Sequence, residues 1–164
     1  MNENYIDERL AEYNNIFKKN EEIYRSLTRK LDLSECSFWI LYTIRTELSM
    51  PFQNEICASL HQPKQTINSA LKKLEADGYI MLTPGNDLRS KQISLTEKGI
   101  VLCEKTVDLV IKIERCALTG LSNEEIKLFF SLFNKYTNLL ENLASEITQE
   151  NSKNLVNAVQ EISK

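Results

Sequence analysis

The chain has 164 residues, 42% of them apolar, with 20 basic and 23 acidic side chains for a formal net charge of −3. That length suits one domain or two small ones sharing a core, and only 4 Gly and 3 Pro leave few breakers, so a mainly helical protein is expected. The charge excludes a chain coated in positive groups but allows a local basic patch. No apolar run approaches ~18 residues, which excludes a membrane-spanning helix.

The opening MNENYIDERL is polar and acidic and carries no secretory pattern. The four cysteines, Cys36, Cys57, Cys103 and Cys116, form no CxxC pair, and His61 is the only histidine. A Cys/His metal site is therefore poorly supported, and no cofactor is expected. Free thiols without an export signal point to a cytoplasmic protein.

In chain order, Ile6, Leu10, Tyr13, Phe17, Tyr24, Leu27 and Leu31 recur at helical spacing and predict an amphipathic helix over 5–31, with Asn20 interrupting its seam. A helix that long needs a partner surface beyond its next turn. Ser34 has the chemistry of an N-cap for a helix to about residue 48, with Leu33 and Phe38 placed as a hydrophobic staple. Met50-Pro51 ends it, and a short helix is expected over 53–60.

Pro63 suits the first turn of the next helix, which runs to about residue 77 with Gly78 as its C′ residue. Residues 79–83 read as a strand, 84–87 as a turn cluster and 92–95 as the return strand. Thr96 can cap one long helix that continues to Ala117, with Gly120 as its stop. Ser122-Asn-Glu-Glu125 is a capping box, the best-marked helix start in the chain. The helix it opens carries Phe129, Phe130, Phe133, Tyr136, Leu140 and Leu143. Polar residues over 149–154 suggest a break before a last short helix with Leu155, Val156, Val159 and Ile162.

Residues 34–96 thus have the order of a helix-turn-helix followed by a two-stranded wing. The second helix of such a motif enters the DNA major groove, so it should be apolar inside and basic or short-polar outside. PKQTINSALKKLE fits: Ile67, Ala70, Leu71 and Leu74 face in, while Lys64, Gln65, Thr66, Asn68, Ser69, Lys72 and Lys73 are the candidate DNA contacts. Gln and Asn can pair bidentately with adenine, and Lys reaches guanine or phosphate. In the wing, Arg89 near the tip suits a narrow minor groove, Asp87 can hold the tip in shape, and Ser90 and Lys91 add polar contacts.

On these residues the chain resembles the MarR-type transcriptional regulators. DLRSKQISLTEKG matches their D-x-R-x3-[VI]-x-L-T-x2-G wing signature at Asp87, Arg89, Ile93, Leu95, Thr96 and Gly99. EICASLHQPKQTINSALKKLEADGYI resembles their helix-turn-helix. The resemblance implies a winged helix-turn-helix over 34–96 on a helical dimerisation base formed by 1–33 and 97–164. It also implies a homodimer on a pseudo-palindromic operator, usually a repressor, often released by a small ligand, metal or oxidant. Two departures stand out: Pro63 occupies a place where the family often has Ser, and the recognition helix has no Arg. A·T-rich specificity or modest affinity is the expectation.

Other readings stay open. Some winged-helix domains contact protein rather than DNA. Tyr13, Phe17, Tyr24, Phe38, Trp39 and Tyr42 form either a pocket for a small aromatic effector, as the resemblance implies, or simply core and dimer seam. The cysteines are either small core residues or redox-active thiols. Peroxide-sensing members of the family use a cysteine in the first helix, and this chain has none before Cys36. His61 reads as a turn residue. No nucleophile–base–acid set, Gly-rich phosphate loop or paired acids point to an enzyme.

Overall fold

The computed structural model describes residues 3–47, 51–84 and 91–145. Among them the elements follow as α1 (Glu3–Lys30), α2 (Glu35–Thr46), α3 (Gln53–Ser59), α4 (Lys64–Ala76), β1 (Ile80–Pro84), β2 (Lys91–Leu95), α5 (Glu97–Lys105), α6 (Val107–Thr119) and α7 (Asn123–Ser145). The chain is mainly helical with one antiparallel hairpin. It forms two compact units: one spans Tyr13–Glu114, the other joins Met1–Glu12 to Arg115–Lys164. The break expected over 149–154 and the last short helix lie outside the described residues.

Local chemistry accounts for several helix ends. Ser34 caps α2 by accepting the Ser37 N–H at 3.1 Å. Thr96 caps α5 by accepting the Gly99 N–H at 3.0 Å. In the Ser122 capping box, Glu125 N–H donates to Ser122 Oγ at 3.2 Å and Ser122 N–H donates back to the Glu125 carboxylate at 2.8 Å. The Ser122 N–H, and after it the Ser122 side chain, hold the Glu125 carboxyl below its ordinary range. Gly78, with φ of 74°, closes α4: its N–H reaches Glu75 O and the Tyr79 N–H reaches Leu74 O, both at 2.9 Å.

Four expectations need correction. The second helix stops at Thr46, since Glu47 turns to extended backbone with ψ of 142°. Pro63 stands just outside α4 as its N-cap residue, with ψ of 128°, and its carbonyl accepts from Thr66 and Ile67 N–H. The first strand begins at Ile80 because the Tyr79 N–H is used in closing α4. The long helix expected after Thr96 is two. Thr106 leaves helical geometry (φ −131°, ψ −83°) while its hydroxyl donates to Leu102 O at 2.7 Å. A threonine bonding back to a carbonyl four residues earlier competes with the helix ladder and bends it.

The hairpin register pairs Ile80 with Leu95 and Pro84 with Lys91. The preceding chain docks on its second strand: Ile93 N–H donates to Pro51 O at 3.0 Å, and Phe52 bridges to Gln92. The wing is therefore tied to the entry of α3. Phe38, Ile40 and Leu41 of α2, Ile56 of α3, Ile67, Leu71 and Leu74 of α4, Ile80 and Ile93 of the hairpin, and Cys103, Val107 and Val110 form one buried cluster. Gly99 is required by a close approach, for a Cβ there would lie 1.9 Å from Tyr79 O. α7 contributes no buried residue.

Candidate nucleic-acid interface

The helix-turn-helix begins at α3. Glu55 accepts the Phe52 N–H at 2.7 Å, which fixes the start of that helix. His61 takes φ of 48° in the turn before α4, the left-handed conformation that lets the chain reverse between the two helices. This agrees with its expected place as a turn residue. Among the described residues no group of three His, Cys, Asp or Glu could hold a metal ion.

α4 buries Ile67, Leu71 and Leu74 and exposes Lys64, Gln65, Thr66, Ser69, Lys72 and Lys73, while Asn68 is half-buried. Three apolar anchors on one side and a carboxylate-free run from Lys64 to Lys73 on the other make a helix able to lie against a polyanion. Ser69 donates its hydroxyl to Gln65 O at 2.9 Å, so it offers only lone pairs outward. Lys73 borders a cavity of about 310 Å³ shared with Asp32, Ser34, Asp77 and Tyr79. Lys98 donates to Asp77 O at 2.7 Å and lies 4.7 Å from the Tyr79 ring centre, which stabilises the C-terminal end of the helix.

Lys91 is exposed at the first position of β2. Asp87, Arg89 and Ser90 lie outside the described residues. The wing signature has a structural basis at its other end. Thr96 Oγ donates to Gly78 O at 2.6 Å while accepting from Gly99, so one hydroxyl joins the end of α4 to the start of α5. Gly99 lets the two backbones meet.

Four of the six candidate pocket aromatics come together. Tyr24 and Trp39 ring centres are 5.1 Å apart, Phe38 and Trp39 5.0 Å, Trp39 and Tyr42 5.4 Å. Tyr13 and Phe17 form a separate stacked pair on α1. The Tyr24 and Tyr42 hydroxyls both donate to Glu114, at 2.5 and 2.6 Å. Burial, then the Glu114 carboxylate, pushes the Tyr24 phenol above its ordinary value. Nearby, Arg45 makes a two-pronged bond to Asp108, at 2.8 and 2.7 Å. Sequence reasoning missed Glu114, Asp108 and Gln53, whose partners are 15 to 90 residues away. The thiols differ: Cys116 is exposed, whereas burial pushes Cys103 up to about 11 and also raises Cys36.

No family model matches the chain. It is 29% identical over 97 residues to the uncharacterized HTH-type transcriptional regulator YwoH of Bacillus subtilis, covering 59% of this chain and 70% of that one. An uncharacterized HTH-type transcriptional regulator of Bacillus cereus is 27% identical over 118 residues, covering 71% and 78%. Among solved structures, the Staphylococcus aureus MepR–DNA complex superposes with a TM-score of 0.62 at 25% identity, covering 78% of this chain and 97% of MepR. NMB1585, a MarR family regulator from Neisseria meningitidis, gives 0.66 at 25% identity, covering 89% and 99%. The two Bacillus relatives are named as transcriptional regulators of the helix-turn-helix type. Among the described residues no helix is long and apolar enough to cross a membrane.

Proposed function

We propose that the chain is a DNA-binding transcriptional regulator of the MarR type and that it works as a homodimeric repressor on a pseudo-palindromic operator. Residues 34–96 serve as the DNA-binding head, and 1–33 with 97–164 as the dimerisation base. The observation that carries the reading is α4 itself, buried on one side through Ile67, Leu71 and Leu74 and polar, basic and free of carboxylates on the other from Lys64 to Lys73. Two such helices, one from each subunit, enter major grooves about one turn apart, ~34 Å. Arg89 of each wing reaches the flanking minor groove.

Dimerisation is supported by α7. Leu128, Phe129, Phe130, Leu132, Phe133, Leu139 and Leu140 are all exposed. Together they cover a far wider arc than the ~100° stripe one neighbour requires. A second copy of the chain removes that surface from water. An effector that binds beside the Tyr24–Trp39–Tyr42 cluster releases DNA only through its differing affinity for the two spacings of the heads.

Fluorescence anisotropy on DNA enriched from a random pool, titrated with salt, tests the function. Selective binding with a negative log–log salt slope is expected, weakened by about 1–3 kcal/mol in Arg89→Ala and, for Lys72→Ala, reduced evenly across sequences with a shallower slope. Binding that ignores salt and both substitutions would instead favour a winged helix that docks on protein.

A further inference from the structure

The recognition helix carries one asparagine, and its side chain is already engaged. Asn68 lies about 100° round α4 from the buried Ile67, on the edge of the outward face. It is half-buried, unlike Gln65, Ser69 and Lys72, which are exposed. Gln53, the first residue of α3, donates Nε2–H to Asn68 Oδ1 at 2.8 Å. Gln53 is itself half-buried. The chain just before it is held by the Phe52–Gln92 bridge, by Pro51 O and by the Glu55 carboxylate on Phe52 N–H. Its amide is therefore delivered from an anchored backbone, and the bond links the first helix of the motif to the second.

An unengaged asparagine pairs with adenine through both amide atoms, accepting from N6–H and donating to N7. Asn68 offers a different face. Its oxygen is turned inward to accept from Gln53, using one of its two lone pairs, and among the described residues no acceptor takes its Nδ2 protons, which are left for the groove. We propose that Gln53 acts as a positioning residue that sets Asn68 as a hydrogen-bond donor, so that on the strand it faces the protein selects a base presenting acceptors, guanine through N7 and O6 or thymine through O4, over adenine. The proposal rests on the DNA-binding reading above and adds to it the base class at one operator position and the residue that decides it.

The test is selection from a library of operator variants, with sequencing, using the 164-residue chain. The wild type is compared with Gln53→Glu, Asn68→Ala and the double variant. Glutamate at 53 can only accept, so the Asn68 amide turns over, donates to it and presents its oxygen outward. Wild type is expected to favour guanine or thymine over adenine at one position of each half-site by about five- to tenfold, the low end for one good base contact. In Gln53→Glu that same position should shift to bases with an exocyclic amino donor, adenine or cytosine. The added charge lowers affinity for all sequences alike and leaves the other positions unchanged. Asn68→Ala should flatten the position, and Gln53→Glu should have no further effect on it in that background.

Wild-type preference for adenine there would overturn the proposal. So would a Gln53→Glu variant that binds more weakly with its base preference unmoved. Absence of any selective, salt-dependent binding by wild type would overturn the regulator reading and this one with it. Asn68→Ala keeps the proposal falsifiable if Gln53→Glu folds poorly, since a position that stays selective without the Asn68 amide is not read by it.

Discussion

The winged head and α7 solve the problem of apolar surface in opposite ways. Every apolar side chain buried among the described residues lies between Phe38 and Val110, and the cluster joins all the elements of the head. α7 is well started and long, yet buries nothing, with Phe129, Phe130 and Phe133 about half exposed. Good local signals make a helix but do not give it anything to pack on. The head closes its core with help from Cys103, Val107 and Val110 of α5 and α6; α7 keeps its apolar arc for another surface.

The most disruptive way to break the head's side of this contrast is Gly99→Ala. The added methyl would sit 1.9 Å from Tyr79 O, so the α4–wing–α5 junction must move. A loss of about 3–4 kcal/mol is expected in chemical denaturation, in the range reserved for severe backbone clashes. A loss under about 1 kcal/mol would show that the junction yields easily.

The matching substitution for α7 is Phe133→Asp, which should leave the head folded and act on association alone. Sedimentation is expected to show the dimer weakened by about 2–4 kcal/mol, the scale of a central aromatic anchor. A dimer of unchanged affinity would mean that this arc faces something other than a second copy.

Thr96→Val separates cap chemistry from packing in the head. It removes the hydroxyl that accepts from Gly99 and donates to Gly78 O while keeping the branched shape. About 1–2 kcal/mol should be lost in denaturant unfolding, as for other helix caps. An unchanged midpoint would assign the threonine to shape alone.

The smallest effect is at the start of α7. Because the folded state lowers the Glu125 pKa, its contribution is present above the ordinary carboxylate value, ~4.3, and is lost as pH falls through the lowered one. Carboxyl-detected NMR titration should find Glu125 below that ordinary value. A titration at the unshifted value would show that the capping box is open in solution.

Much of the fold was legible because its signals are local. The helix-end bonds at Ser34, Thr96, Ser122 and Gly78 each close within five residues, and the buried positions of α4 follow from helical period alone. The bend at Thr106 was not legible, since threonine is tolerated inside many helices and only its bond to Leu102 O marks the break. The docking of Pro51 and Phe52 on the wing was equally hidden, because strand partners there are about forty residues apart in sequence. Of the candidate site, the polar face of α4 followed from periodicity, whereas the engagement of Asn68 by Gln53 did not.

What the sequence determined by itself is the helix-turn-helix and hairpin order of the head, the caps at Ser34, Thr96 and Ser122 and the buried face of α4, because hydrogen bonds within a turn and apolar spacing of three and four are properties of short stretches. What only the tertiary structure decided is which distant groups meet: Tyr24 and Tyr42 on Glu114, Arg45 on Asp108, Gln53 on Asn68, and Gly99 against Tyr79. Those meetings depend on how closely helices and strands approach once the core is packed, and side-chain polarity along the chain does not encode a distance.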